Sequence, residues 1–422
     1  MKKRNILIIG GGGREHAIAK ALSRSAGTGK LYAIPGNAGI AELAECVPSI
    51  AATQIDKILE WVANKGDIDL MVVAPDDPLS MGLVDRLEAA GHRAFGPKAA
   101  AAYLEASKAF AKDLMKKYGI PSAAYEVFED IGKAREYLKK CSYPIVIKAD
   151  GLALGKGVVI AETYKEAEAA AAEMLSGARF GAAGRKVVVE EFLRGFEVSV
   201  LAFTDGTAVI PMVSSQDHKR AYDGDKGPNT GGMGAFSPSV KYTDEMHKLA
   251  VRTVFEPTIR AMKAEGREFR GVIYFGLMIG ADGVPKVLEY NARFGDPETQ
   301  VVLPRLKSDL LEIMDACIDG GLDKLKIEWD ERPAVCVVAA SGGYPADYKK
   351  GVPIVIGKMP EGAEVYHAGT AMSDGRLVTN GGRVLCVTGM AKDLGSARAI
   401  AYEGLDRVSF EGMHYRKDIC RI

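Results

Sequence analysis

The chain has 422 residues, and at the usual domain size of roughly 100 to 200 residues this predicts two to four folding units rather than one small module. Lysine plus arginine and aspartate plus glutamate each number 55. No net field therefore collects nucleic acid or an anionic membrane surface, and any anionic ligand has to be held locally. Hydrophobic residues at 47% and charged residues at 26% exclude a disordered chain and supply apolar surface for stable cores.

From Asn5 the chain reads as strand (NILIIG), glycine turn, helix (EHAIAKALS) and second strand (KLYAI), the rhythm of a parallel α/β sheet. LMVVAPDD and GLVDRLEAAG repeat it. After the short strand RAFG, the alanine-rich region 98–118 predicts helix, with Gly119 and Pro121 as its stop. YPIVIKAD predicts a strand, followed by the glycine loop GLALGKG, the strand VVIA, a helix beginning near Lys165 and the strand KVVVEEFL. Residues 216–238 break all periodicity over a polar, glycine-rich span, and loops of that length are commonly functional. GVIYFGLMIG and VPKVLEYN flank the turn ADG as a hairpin. From about 333 onward, short strands (AVCVVAAS, RVLCVTGM) and one helix (SARAIAYEGLDRV) suffice for a small α+β unit. Cys46, Cys141, Cys317, Cys336, Cys386 and Cys420 are scattered without a zinc or disulfide pattern, so a reducing cytoplasm is expected. The apolar run after Lys2, Lys3 and Arg4 is too short for a signal peptide. No apolar stretch approaches the roughly 20 residues of a membrane span.

The 48 glycines exceed the average of about 7% without a triplet repeat, which points to turns that cradle ligands. Gly10 to Gly13 follow a strand and open a helix, where backbone N–H groups stabilise an anion. A dinucleotide-binding oxidoreductase would begin similarly. Its third glycine, however, would fall on Glu15 or His16, and the second strand ends in Pro35, Gly36 and Asn37 rather than in an acid for ribose. Arg14 suits a phosphate monoester, while His16 is as consistent with packing.

Lys148 closes an apolar strand and is followed by Gly151, Gly155, Lys156 and Gly157, a cation at the foot of a loop able to fold over phosphates. The spacing is not that of a P-loop. Lys108, after Ser107 at an expected helix start, can approach the same phosphates. Glu190, Glu191, Phe192 and Leu193 end a strand and Glu197 follows. Carboxylates there can accept ribose hydroxyls, and the strand-end backbone can pair with a purine edge. In VLEYNARFGDPETQ, strand periodicity puts Glu289 and Asn291 on one face. Both are hard oxygen ligands suited to magnesium. Arg293 is positioned to neutralise a transferring phosphoryl group, with Asp296 and Glu298 able to orient neighbours. Asp217, His218, Lys219 and Arg220 mix one acid with a cluster of bases in a segment expected to be too polar for a core.

Taken in order, GGGGREHA at 10–17, PGNAG at 35–39, SKAFAKDLM at 107–115, KADGLALGKGV at 148–158 and EEFLRGFEVS at 190–199 resemble the glycinamide ribonucleotide synthetase family of ATP-grasp ligases. QDHKRAYDGDKGPNTGGMGA at 216–235, EYNARFGDPETQ at 289–300, GGYP at 342–345, HAGT at 367–370 and NGGRVL at 380–385 extend the resemblance to nearly the whole chain. It implies a multi-domain α/β protein: an N-terminal parallel α/β substrate domain (1–104), a two-lobed ATP-grasp region (105–315, mobile lobe about 122–195) and a small α+β C-terminal domain (330–422).

The resemblance further implies Lys108, Lys148, Gly155, Lys156 and Gly157 around ATP phosphates, Glu191 to Leu193 as the adenine hinge, with Glu190 beside it in the nucleotide site, and Glu197 as the ribose acid. Glu289 and Asn291 would ligate Mg2+ or Mn2+. Arg293, Lys219 and Asp217 would be catalytic, and Gly12, Gly13, Arg14, Glu15, Asn37, Asp76 and Arg220 would face substrate. The expected reaction joins glycine to 5-phosphoribosylamine through glycyl phosphate, with no nucleic acid or membrane partner and with transient contact to neighbouring purine-pathway enzymes. Another carboxylate–amine ligase of the superfamily is the alternative. The chain departs from the family at Phe196, where an acid is usual, and at Ala74-Pro75-Asp76, where the family has a GPE-type sequence.

Overall fold

The computed structural model of the protein describes residues 3–152, 157–177 and 185–421. Its first unit is an all-parallel sheet in the spatial order Glu45–Cys46, Thr28–Pro35, Arg4–Gly10, Leu70–Val73, Ala94–Phe95. The apolar runs Ile6–Ile9 and Leu70–Val73 are buried on both faces, as a parallel sheet covered by helices requires. The order in which successive strands are added reverses between Arg4–Gly10 and Leu70–Val73, so the crevice at their carboxyl ends, beside Gly11 and Ala74, is where such sheets bind ligands. A Cβ on Gly11 would stand 2.3 Å from the Gly36 carbonyl oxygen; only glycine lets the two turns meet there.

The alanine-rich region is two helices, Ala99–Ala106 and Lys108–Tyr118. Ser107 separates them in an extended conformation, its hydroxyl accepting from the Phe110 N–H, and Gly119 ends the second helix in the left-handed region. Next comes an antiparallel sheet ordered Tyr125–Phe128, Val187–Glu191, Ile145–Ala149, Val158–Ala161. With helices Ile131–Leu138 and Tyr164–Leu175 it encloses its own core of Leu138, Ile147, Ala171 and Val189. A second antiparallel sheet, Val209–Pro211, Phe196–Asp205, Arg270–Ile279 and Pro285–Asn291, contains the expected hairpin. Gly276 pairs with Glu289 and Leu277 with Val287, leaving Leu288 as a bulge. Glu289 and Asn291 lie after it, two residues apart on one face.

The span 216–238 departs from expectation. Arg220–Tyr222 and Lys226–Asn229 pair as a hairpin. Gln216–Asp217 and Gly234–Ser237 join the C-terminal strands Ala334–Ala340, Arg383–Met390 and Ala363–His367 in one sheet. Gly234–Ser237 is wholly buried, so this part of the polar segment is core. Strands this short carry too little periodicity to be read locally, and their pairing partner lies about a hundred residues away in the chain. Helix Leu394–Leu405 covers this sheet through Ala397, Ala401 and Leu405. No helix among the described residues is long and apolar enough to cross a membrane.

First and last units meet at two histidines. The His367 backbone N–H donates to His16 Nδ1 at 2.8 Å, the rings stand 5.7 Å apart, and a Cβ on Gly39 would lie 2.4 Å from His16. Burial, reinforced by Lys20, pushes His16 down to about 2 and His367 to about 4. Both are neutral in the fold, whereas unfolded histidine protonates near 6.5. Their stabilisation is therefore complete above pH 6.5 and is lost as pH falls from there toward 4, by up to about 1.4 kcal/mol per pH unit for each ring. Melting temperature should drop between pH 7.5 and pH 5, and His16→Asn, which keeps an acceptor, should flatten that slope; an unchanged slope contradicts the neutral pair.

Candidate active site

Lys148 leaves the end of Ile145–Ala149 and is 7% exposed; its Nζ donates to Glu190 at 3.0 Å and to the Leu288 carbonyl at 3.1 Å. Lys112, one turn after Lys108 on the same helix, brings a second ammonium to Glu190 at 2.9 Å. Glu190, 2% exposed, is thus consumed by two lysines. Its side chain is not the ribose acceptor that its strand-end position suggested, because a buried carboxylate goes to the nearest buried cations. Glu191 projects outward and accepts from the Ala124 N–H at 3.3 Å. Leu193 is buried, Phe192 partly so.

Lys108 Nζ donates to the Gly151 carbonyl at 2.7 Å. The helix it starts is capped by Asp150 of the neighbouring lobe, whose Oδ1 accepts from the Ala109 N–H and the Ser107 hydroxyl, each at 3.0 Å. Burial lowers the Lys108 ammonium, against Glu289. Gly157 holds the loop's far end through its carbonyl, which accepts from the Ala149 N–H at 2.9 Å. Gly155 and Lys156 lie outside the described residues.

Glu289 is the point of convergence. Lys219 reaches both Glu289 at 3.3 Å and Glu197 at 3.2 Å. Lys219 is the largest influence holding Glu289 down to about 2, with Lys148 and Lys108 adding to it. Lys219 thus contacts this carboxylate directly, Lys148 and Lys108 act on it through their charge, and Asn291 lies on the same strand face. Burial raises Asp217 above the usual carboxylate range despite Lys219, helped by Glu298, Glu197 and Glu289. Arg293 lies 3.2 Å from Glu105, with its Nε buried and unpartnered.

The first glycine turn departs from expectation in a specific way. The N–H of Gly12 already donates to Glu15 Oε2, so the chain's own carboxylate occupies part of the anion site at this helix start; burial raises Glu15. Gly13 opens the helix in a buried position, where a Cβ would meet the Gln300 amide at 2.4 Å. Arg14 bridges the crevice to the Ala74 carbonyl at 3.1 Å, and its Nε is buried without a partner. The Asn37 side chain is fully spent: Nδ2 donates to the Gly11 and His367 carbonyls, and Oδ1 accepts from the Gly39 and Ile40 N–H groups, all at 2.9 Å. It braces the site rather than offering its amide to substrate. Arg220 Nη1 donates to the Gly227 carbonyl at 2.7 Å, and Asp76 is partly exposed at the crevice.

Lys112, Asp150, Glu105 and Arg383 escaped the sequence reading. Arg383, in the quoted NGGRVL, donates to the Gly231 carbonyl at 2.7 Å and the Asp296 carbonyl at 2.8 Å, and pairs with the Asp296 carboxylate at 3.3 Å. Asp296 is held low by Arg383, Arg14 and Arg293 against its burial. One arginine from each of three units thus converges beside the crevice, a charge pattern that suits an anionic substrate. Only Lys112 carried a local signal, its helical spacing from Lys108.

Comparison with known proteins identifies the family. Family models described as the phosphoribosylglycinamide synthetase N domain, ATP-grasp (A) domain and C domain match residues 4–105, 106–299 and 334–421. Phosphoribosylamine–glycine ligase of Halalkalibacterium halodurans is 50% identical over 416 residues, covering 98% of this chain and 96% of that protein. Its counterpart from Yersinia pestis is 50% identical with 98% of each covered. The crystal structure of phosphoribosylamine–glycine ligase from Thermotoga maritima superposes with a TM-score of 0.85 at 38% identity, covering 99% of this chain and all of that one. The biotin carboxylase domain of Hydrogenobacter thermophilus 2-oxoglutarate carboxylase shares the fold, with a TM-score of 0.77 at 15% identity over 98% of this chain and 92% of that one. The oxidoreductase reading of the first glycine turn falls away with these matches. With consecutive models matched almost end to end, the chain belongs to the phosphoribosylglycinamide synthetase family of ATP-grasp ligases.

Proposed function

We propose that the protein joins glycine to the amine of 5-phosphoribosylamine at the expense of ATP. The glycine carboxylate attacks the γ-phosphorus and ADP leaves; the amine then attacks the acyl carbon of glycyl phosphate, phosphate leaves and the nitrogen loses a proton. The observation that carries this reading is the gathering of ammonium groups around Glu289: Lys219 pairs with it at 3.3 Å, Lys148 donates to the carbonyl of the preceding Leu288 at 3.1 Å, and the charge of Lys108 adds to theirs. Clustered ammonium groups at the meeting of two lobes favour a polyphosphate, and an ionised carboxylate among them gives a cation a place to bind. No enzyme nucleophile is needed. The residues orient the reactants and neutralise charge, and a closed site keeps water from an acyl phosphate that would otherwise hydrolyse.

A divalent cation fits the donors present. No group of three or more histidine, cysteine, aspartate or glutamate side chains gathers as a metal site among the described residues, which disfavours a cage built entirely of protein ligands. One ionised carboxylate, Glu289, with the amide oxygen of Asn291 suits magnesium or manganese, which keep waters and take phosphate oxygens for their remaining positions. When bound there, the cation would offset negative charge on the phosphates. Lys108 and Lys148 would hold the phosphates, Glu191 to Leu193 the adenine, and Glu197 the ribose. Arg293 would neutralise the transferring phosphoryl group, and Asp217 and Lys219 would hold the reacting amine and carboxylate. Arg14 and Arg383, with Asp76 and Arg220 at the margin, would take the phosphorylated sugar. A cytoplasmic location and contact with other enzymes of purine synthesis belong to the same proposal.

Mixing the protein with ATP, magnesium, glycine and freshly generated phosphoribosylamine should release ADP in a glycine-dependent manner; absence of that release would count decisively against the assignment. Glu289→Gln, which keeps the side chain's size and a hydrogen-bond acceptor for Lys219, should slow turnover by roughly 10²- to 10³-fold, the scale for losing one electrostatic stabiliser, while the protein stays folded by circular dichroism. Near-normal turnover would instead remove Glu289 from the cation site.

A further inference from the structure

Glu105 is 8% exposed, and its carboxylate holds three consecutive residues at once. Oε1 accepts from Asn291 Nδ2 at 2.8 Å, Oε2 accepts from the Ala292 N–H at 2.7 Å, and Oε1 lies 3.2 Å from Arg293 Nη2. These contacts begin where the strand Pro285–Asn291 ends, its last pairing being Asn291 with Tyr274. Beyond that point ladder bonds no longer fix the chain, and a side chain from the helix Ala99–Ala106 takes over.

An asparagine amide presents an oxygen on one side and an NH2 group of nearly the same shape on the other, and it can turn either way. An ionised carboxylate has only acceptor atoms. It therefore selects the NH2 group, and the planar amide must then point its oxygen the opposite way. A hard divalent cation needs that oxygen and is repelled by the NH2 group. We infer that Glu105 is a positioning residue: it fixes Asn291 with the oxygen directed to the cation site and locks Arg293 beside it, so that the two ligands Glu289 and Asn291 are set before nucleotide binds. Groups that orient metal ligands from behind typically matter 10- to 100-fold in metal affinity. The inference rests on the ligase reading, because it assumes that a cation binds at Glu289 and Asn291.

A strut that merely joined two units would not depend on which atoms stand at position 291, and this separates the two roles. Mn2+ binding, followed by the electron paramagnetic resonance signal of the free ion with saturating ADP, is compared for wild type, E105Q, N291D and E105Q/N291D. In the asparagine background, glutamine at 105 can donate as well as accept and lets the amide turn over, so E105Q should weaken Mn2+ binding about 10- to 100-fold. Opposite an aspartate, which has no NH2 group to orient and stands against Glu105 as a second carboxylate, the same change should cause no loss and should raise affinity above the N291D value. An equal loss in both backgrounds, or no loss in the first, would overturn the inference. If E105Q does not fold, a crystal structure of the wild-type protein with Mn2+ and ADP decides: the account requires Asn291 Oδ1 on the ion with Nδ2 on Glu105, and an ion that does not touch Asn291 would overturn it. Wild-type protein that binds no Mn2+ would instead refute the underlying reading.

Discussion

Burying lysine ammonium groups is unfavourable unless anions stand against them, and much of this site follows from how the chain meets that constraint. Glu190 is shared between Lys112 and Lys148, and Lys219 stands between Glu289 and Glu197. Lys148 and Lys108 add their charge to that of Lys219 in holding Glu289 ionised. The ammonium groups come from both lobes, so a ligand carrying several negative charges would bind across them.

The site depends on units that look separate in the chain. Asp217 is set by its pairing with Ala235, and Gly234–Ser237 in turn pairs with Ala334–Ala340. The C-terminal sheet is therefore part of the scaffold of the central site rather than an appendage. Arg383 extends the same dependence, reaching from that sheet to Asp296 and to the carbonyl of Gly231. His16, His367 and Asn37 tie the first unit to the last by bonds that leave little freedom at the crevice. Small shifts between these units would move the arginines relative to the lysines, so substrate placement and phosphate placement are mechanically linked.

The parts readable from sequence were those with local physical signatures. Parallel strands announced themselves as apolar runs, the helix start at Lys108 by the serine before it and the helix end by Gly119. That Glu289 and Asn291 share a face was legible because a strand repeats every two residues and both lie on the same side of the bulge at Leu288. Partnerships made over long chain separations were not legible. Nothing near Glu105 indicates that it will accept from Asn291, and nothing near Glu190 indicates that two lysines will claim it. The first glycine turn holds a further partnership that its glycines alone do not show. A helix start attracts any anion, and Glu15, placed where a capping box puts it, supplies one from within. The polar span 216–238 reads as a loop from its composition, which tertiary pairing overrides at Gly234–Ser237.

The central claim is spatial: Lys108, Lys148, Glu289 and Asn291 enclose the phosphate tail of one nucleotide and its cation. A crystal structure with a non-hydrolysable ATP analogue and Mn2+, the ion located by its anomalous scattering, tests it directly. The account requires the anomalous peak within about 2.0 to 2.3 Å of side-chain oxygens of both Glu289 and Asn291, with Lys108 and Lys148 on the phosphate oxygens. A nucleotide bound with its phosphates elsewhere, or an ion held by other residues, would contradict it.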